Sequence, residues 1–100
     1  MIVVEFPAPE LQEPTNITEN SMDLAWTIIS DSDFQEYRLY RSNSTGVDEN
    51  STLVATITNA YENFYNDTGL DGGTTYYYRV YSASTNGVTA GSNEVSAATS

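Results

Sequence analysis

The chain has 100 residues, with no cysteine, histidine or lysine, and its three arginines face 14 acidic residues for a formal net charge of −11. One domain of this length buries a modest core without staples, and the missing thiols exclude disulfides and thiolate metal sites. Such acidity repels phosphates and anionic headgroups, so nucleic acid is not an expected partner and membrane insertion is not expected.

Met1 to Val4 is an apolar run without a basic flank, too short for a signal core or a membrane span. Residues 1–8 read as a linker or an artificial start, and the ragged ends as those of a piece from a longer modular protein. Pro7, Pro9 and Pro14 cannot donate to a ladder, so an edge strand is expected around 10–13. A polar turn over 15–20 leads into 21–27, where Met22, Leu24 and Trp26 share parity and mark a strand with one buried face. A single indole at that parity is a core residue. Residues 30–33 form an acidic loop, and 34–42 a strand with Tyr37 and Leu39 inward and Arg38 and Tyr40 outward. The polar stretch 42–51, with Gly46, is a loop, while 52–57 is β-branched and apolar and 63–67 a short strand. After Leu70 and a turn over Asp71, Gly72 and Gly73 comes a long aromatic strand, with Tyr76, Tyr78 and Val80 on the face of Leu70 and Tyr77, Arg79 and Tyr81 on the other. Asn86-Gly87 is a turn, and 93–98 the last strand. No stretch has helical periodicity; short strands at such spacing indicate a β-sandwich.

Trp26, the stretch from Tyr37 to Ser42, Tyr65 to Leu70, Gly73 to Val80 and Ser92 to Ala97 together resemble a fibronectin type III domain over about residues 9–99. The resemblance implies an all-β, immunoglobulin-like, seven-stranded antiparallel sandwich with sheets A-B-E and C′-C-F-G. It implies a tyrosine corner built from Leu70 and Tyr76, and a core signature of Trp26, Tyr37, Leu39, Leu70, Tyr76, Tyr78 and Val80. The chain looks most like the microbial branch, found in secreted polysaccharide-degrading enzymes and surface proteins, mainly as spacers. An extracellular or cell-surface location and neighbouring domains of the same chain as partners follow from that likeness. Gly72 stands where many members carry proline, which should loosen the corner. No Arg-Gly-Asp signature occurs in the loop from Ser84 to Gly91.

Without histidine, cysteine or lysine, the usual base near neutral pH, the thiolate nucleophile and the Schiff-base amine are missing, and no enzyme activity or cofactor is expected. A two-carboxylate glycosidase needs a cleft that a filled small sandwich lacks. Asp31 with Asp33, Asp48 with Glu49, and Asp67 with Asp71 supply hard oxygens, but none extends to a calcium loop, so no metal is expected. The outward face of the C-F-G sheet, carrying Arg38, Tyr40, Tyr77, Arg79 and Tyr81 and either Glu94 or Val95, is the candidate binding surface. Its partners would be a polysaccharide, stacked on the tyrosines, or another protein. Four sequons begin at Asn16, Asn43, Asn50 and Asn66. The expected function is a non-catalytic spacer or protein-interaction module of a larger secreted or surface protein. The alternatives are a carbohydrate-binding module and an assembly module of a surface layer, filament or phage particle, both using the aromatic face.

Overall fold

A computed structural model describes residues 6–100. Seven strands follow in order: β1 (Met22–Ala25), β2 (Phe34–Ser42), β3 (Thr52–Ile57), β4 (Phe64–Asp67), β5 (Thr75–Ser84), β6 (Thr89–Gly91) and β7 (Val95–Ala98). One sheet pairs β1 with β4; the other runs β3-β2-β5-β6, with β7 also on β5. All these pairings are antiparallel, as an immunoglobulin-like sandwich of the fibronectin type III kind requires.

The expected parity holds in β1 and β5. Met22, Leu24 and Trp26 from the first sheet meet Tyr37, Leu39, Tyr76, Tyr78 and Val80 from the second, all buried, with Leu70 closing one end. Each such large apolar side chain contributes about 1.5–3 kcal/mol when withdrawn from water. Trp26 and Tyr37 meet edge to face, their centroids 5.5 Å apart. The Tyr37 hydroxyl accepts from the Ile29 N–H and donates to the Ala60 carbonyl, pinning the β1–β2 and β3–β4 connections together. At the opposite end the tyrosine corner forms as its residues imply: the Tyr76 hydroxyl accepts the Asp71 N–H at 2.9 Å. Gly73 takes a φ of +61° there, open to glycine at no steric cost, whereas Gly72 does not need a positive φ.

Two expected strands take other forms. Residues 10–13 make no strand, only isolated bridges of Leu11 to Trp26 and, further on, Thr15 to Asp23. Flanking prolines at 9 and 14 leave too few donors for a ladder. The last strand, expected over 93–98, is shorter, β7 over Val95–Ala98, and an unexpected strand, β6, stands at Thr89–Gly91 in the stretch read as the loop before it; a break separates the two, which pair with successive parts of β5. Asn93 lies in the break and puts its side chain to use: Oδ1 accepts the Leu11 N–H at 2.8 Å and Nδ2 donates to the Leu11 carbonyl at 2.9 Å. A side-chain amide thus replaces one rung of a ladder and ties the start of the domain to its end. Of residues 1–8, read as a linker, 1–5 lie outside the described residues; Phe6 packs against the core and the Pro7 carbonyl accepts from Ser82 Oγ.

Asn93→Ala leaves the buried Leu11 N–H without its partner and is expected to cost about 1–3 kcal/mol. A urea unfolding series compared with wild type measures this loss. Asn93→Asp, which keeps the acceptor but turns an oxygen towards the Leu11 carbonyl, should recover little of it.

Candidate functional site

An ionic cluster lies between the sheets. Asp67, the last residue of β4, is buried, because its parity on the strand matches that of Tyr65, which packs on the core. Arg41 and Tyr78 are opposite partners on β2 and β5 and both point at it. Arg41 NH1 donates to Asp67 Oδ1 at 3.0 Å and to Oδ2 at 2.9 Å, and the Tyr78 hydroxyl donates to Oδ2 at 2.7 Å. The Arg41 guanidinium also sits 5.5 Å from the centre of the Tyr76 ring, in cation–π range. Burial, then the bond to Asp67, pushes the Tyr78 hydroxyl far above the usual tyrosine range. Burial alone would lower the Arg41 pKa, but the hydrogen bond and charge of Asp67 outweigh it and raise it. Asp67, one of the hard-oxygen acids beside the corner, is thus a buried carboxyl already hydrogen-bonded to Arg41 and Tyr78. Arg41 was missed, although it shares the parity of Tyr37 and Leu39 and could have been placed inward from that alone.

The outward face of the second sheet carries the expected residues in register: Arg38 opposite Tyr81, Tyr40 opposite Arg79, and Ser42 opposite Tyr77. It is not an open platform. The β2–β3 loop folds back over it, anchored by Glu94, whose Oε1 accepts the N–H of Gly46 at 2.8 Å and of Val47 at 2.7 Å. Further along the loop, Glu49 accepts from the Thr89 hydroxyl of β6 and lies 4.0 Å from Arg38 NH1. Val47 is fully buried and Tyr40 only 6% exposed, yet neither belongs to the core between the sheets. They form a second, smaller core on the outer side. Tyr40 therefore offers no ring face to a ligand, contrary to the expectation of an exposed tyrosine, because the loop that follows its own strand covers it. Burial, and then the nearby Glu49 charge, raise its pKa.

Tyr81 stands half-buried against this core, edge to face with Tyr40 at 5.5 Å between centroids. Its ring lies over Gly91, where a Cβ would stand 2.7 Å from the ring, so the bare backbone of β6 is what admits it. Arg38 donates its Nε to Glu36 at 2.6 Å, a bond that raises its pKa. Arg79 and Tyr77 are half-buried, and the Arg79 Nε is buried without a hydrogen-bond partner among the described residues. Of the two candidates from the last strand, Val95 points into the main core and Glu94 is the loop anchor. The face thus divides into a covered half around Tyr40 and a more open half around Tyr77 and Arg79.

The other acids serve local turns. Asp31 Oδ1 accepts the Asp33 N–H, and Asp48 Oδ1 the Asn50 N–H. Among the described residues no three acidic side chains stand close enough to share a metal ion. Two of the four sequon asparagines, Asn16 and Asn66, donate their side-chain amides to the two oxygens of Asp23. Asn43 and Asn50 are exposed on the loop that covers the outer face.

A sequence profile described as fibronectin type III domain matches residues 7–98, and the chain belongs to that family. Among solved structures, it is 31% identical to part of a β-1,2-glucanase from Parabacteroides distasonis, with a TM-score of 0.74, covering 92% of this chain and 12% of the glucanase. It matches the pectate lyase Pel3 of Pectobacterium carotovorum at 21% identity and a TM-score of 0.75, over 94% of this chain and 27% of that one. The fibronectin type-III domain of human fibronectin type III domain containing protein 3 matches end to end, at 17% identity, a TM-score of 0.71, and 99% and 90% coverage. The chain therefore spans about an eighth and about a quarter of the two bacterial proteins. No curated protein matches it. Among the described residues no helix is long and apolar enough to cross a membrane.

Two measurements check this geometry. Tyr37, Tyr40 and Tyr78 all have pKa values raised in the folded state, so the native protein holds their protons after the unfolded chain has lost them. Their contribution to stability is complete below about pH 10, the unfolded tyrosine value, and falls as pH rises above it. Urea midpoints between pH 8 and 11 should decline, and Tyr78→Phe should flatten the decline. Glu94→Ala removes two charge-assisted bonds to the loop, worth about 1.5–3 kcal/mol each at most. Hydrogen exchange at Gly46 and Val47 is expected to accelerate by at least about tenfold, while the amides of β5 keep their protection.

Proposed function

We propose that this domain is a non-catalytic spacer within a larger extracellular modular protein. The observation that carries the reading is where the chain enters and leaves. The Pro7 carbonyl is held by Ser82, near the end of β5, beside the β1–β2 and β5–β6 loops. Ser100 is held at the opposite end of the sandwich, its N–H donating to the Thr18 carbonyl and its carbonyl accepting from the Gly73 N–H. The domain measures 49 × 24 × 18 Å along its principal axes, so a chain passing through it advances along the longest one. Both attachment points are hydrogen-bonded to the body, which suits a module that sets distance and direction between neighbours.

Two further features support the reading. The aromatic face that would stack on a sugar is half occupied by the chain's own loop, and the acidic surface disfavours non-specific adsorption to polyanions. The likeness at 31% identity to a segment of a glucanase makes a carbohydrate-degrading parent a natural setting, with neighbouring domains of that parent as the partners. Secretion or surface display follows from such a setting.

The competing reading is a sugar site on the outer face, at Tyr77 and Arg79 in its open half and Tyr81 at the border of the covered one. An amide NMR titration with soluble β-glucan and oligogalacturonate fragments separates the two. No saturable shift is expected at these residues up to millimolar sugar; saturable shifts clustered there would replace the spacer by a carbohydrate-binding module.

A further inference from the structure

Among the described residues β3 forms the outer edge of the larger sheet and pairs only with β2. No loop hydrogen bond among the described residues reaches the backbone of Thr52–Ile57 from its free side. Such an edge carries a row of unpaired donors and acceptors, which proteins commonly blunt with charge or proline. This one has neither: the six residues are Thr52, Leu53, Val54, Ala55, Thr56 and Ile57, in a chain of net charge −11, and Leu53 is 50% exposed. The other edges are better guarded. β4 is four residues long, β1 is flanked by the Leu11 and Thr15 bridges, and the break between β6 and β7 is tied to Leu11 by Asn93.

The irregularity in β3 points to a particular occupant. The register slips between Leu39 and Tyr40 of β2, leaving Val54 as the extra residue. Thr52 and Ile57 lie opposite the inward Arg41 and Tyr37, and Leu53 and Thr56 opposite the outward Tyr40 and Arg38. Val54 and Ala55 both pack against the core. The facing therefore runs in, out, in, in, out, in, which is the same in either direction. A regular strand alternates without interruption and falls out of phase with it. A second copy, reversed, stays in phase at every position.

We propose that two copies of this chain pair through β3, antiparallel about a two-fold axis between Val54 and Ala55, so that their larger sheets become one. Each Leu53 then lies opposite the partner's Thr56 on the outer face, and each Thr52 opposite the partner's Ile57 on the inner one. The pairing is isologous and closes at the dimer. Because both copies are strongly acidic while the edge is neutral, their general repulsion opposes association and salt relieves it. This pairing goes beyond the spacer reading and does not depend on it.

Sedimentation equilibrium over a concentration series, at low and high salt, reads the association. A dimer that tightens as salt rises is expected. Leu53→Glu, at a half-exposed position, should weaken it by about tenfold or more by adding negative charge beside the axis. Thr56→Lys mixed with Leu53→Glu should restore a mixed dimer, since the two charges meet only in this register. Slower amide exchange at residues 52–57 with rising chain concentration would locate the contact without any variant. A wild-type chain that remains monomeric at about 1 mM in high salt overturns the proposal, as that concentration populates even very weak dimers. So does a dimer indifferent to Leu53→Glu.

Discussion

Everything in this sandwich is arranged around one carboxylate that water cannot reach. Asp67 brings a negative charge from the smaller sheet into the gap between the sheets, and Arg41 and Tyr78 of the larger sheet supply the three hydrogen bonds that hold it. Withdrawing such a charge from water costs several kcal/mol, which only near-ideal geometry repays. The cluster therefore contributes less to net stability than to uniqueness. Sliding either sheet by one residue would turn one of the three groups to the wrong face and strand a charge in the interior. With the sheets so aligned, Leu70 and Tyr76 arrive where the corner needs them, and the Tyr76 ring comes to lie beside the Arg41 guanidinium.

The second organising device is a loop used as a lid for its own sheet. Nine residues between β2 and β3 could have projected into solvent. Glu94 instead holds two of their amides, and Val47 on that loop and Tyr40 on β2 are both buried outside the core between the sheets. An outer face rich in tyrosine thereby acquires its own small core. Part of that aromatic face packs on itself: Tyr40 and Tyr81 meet edge to face, and the Tyr81 ring lies on Gly91. What stays less covered is the other half, with the half-buried Tyr77 and Arg79, and the free edge of β3.

Strand parity made the main core readable before any coordinates. Trp26, Tyr37, Leu39, Leu70, Tyr76, Tyr78 and Val80 are all buried in the core cluster. Alternation is a local property, set by the pleat and by the need of one face to leave water, so residues two apart suffice to reveal it. Arg41 was legible on the same grounds, but its charge argued against the interior until a buried partner was known. Asp67 lay next to a turn and read as a loop acid for the same reason.

The amino-acid sequence by itself determined the all-β class and the inward parity of the core residues, because these follow from short-range periodicity and turn chemistry, and its likeness to the family supplied the strand order and the corner. Only the tertiary structure decided which polar side chains meet across the sheets, which half of the tyrosine face the β2–β3 loop covers, how Asn93 closes the domain onto Leu11, and where the register slip in β3 falls. Each of those depends on residues far apart in the chain, up to 82 positions for Asn93 and Leu11, brought within hydrogen-bond reach by the packing of the sheets. No local pattern encodes a partner at that distance.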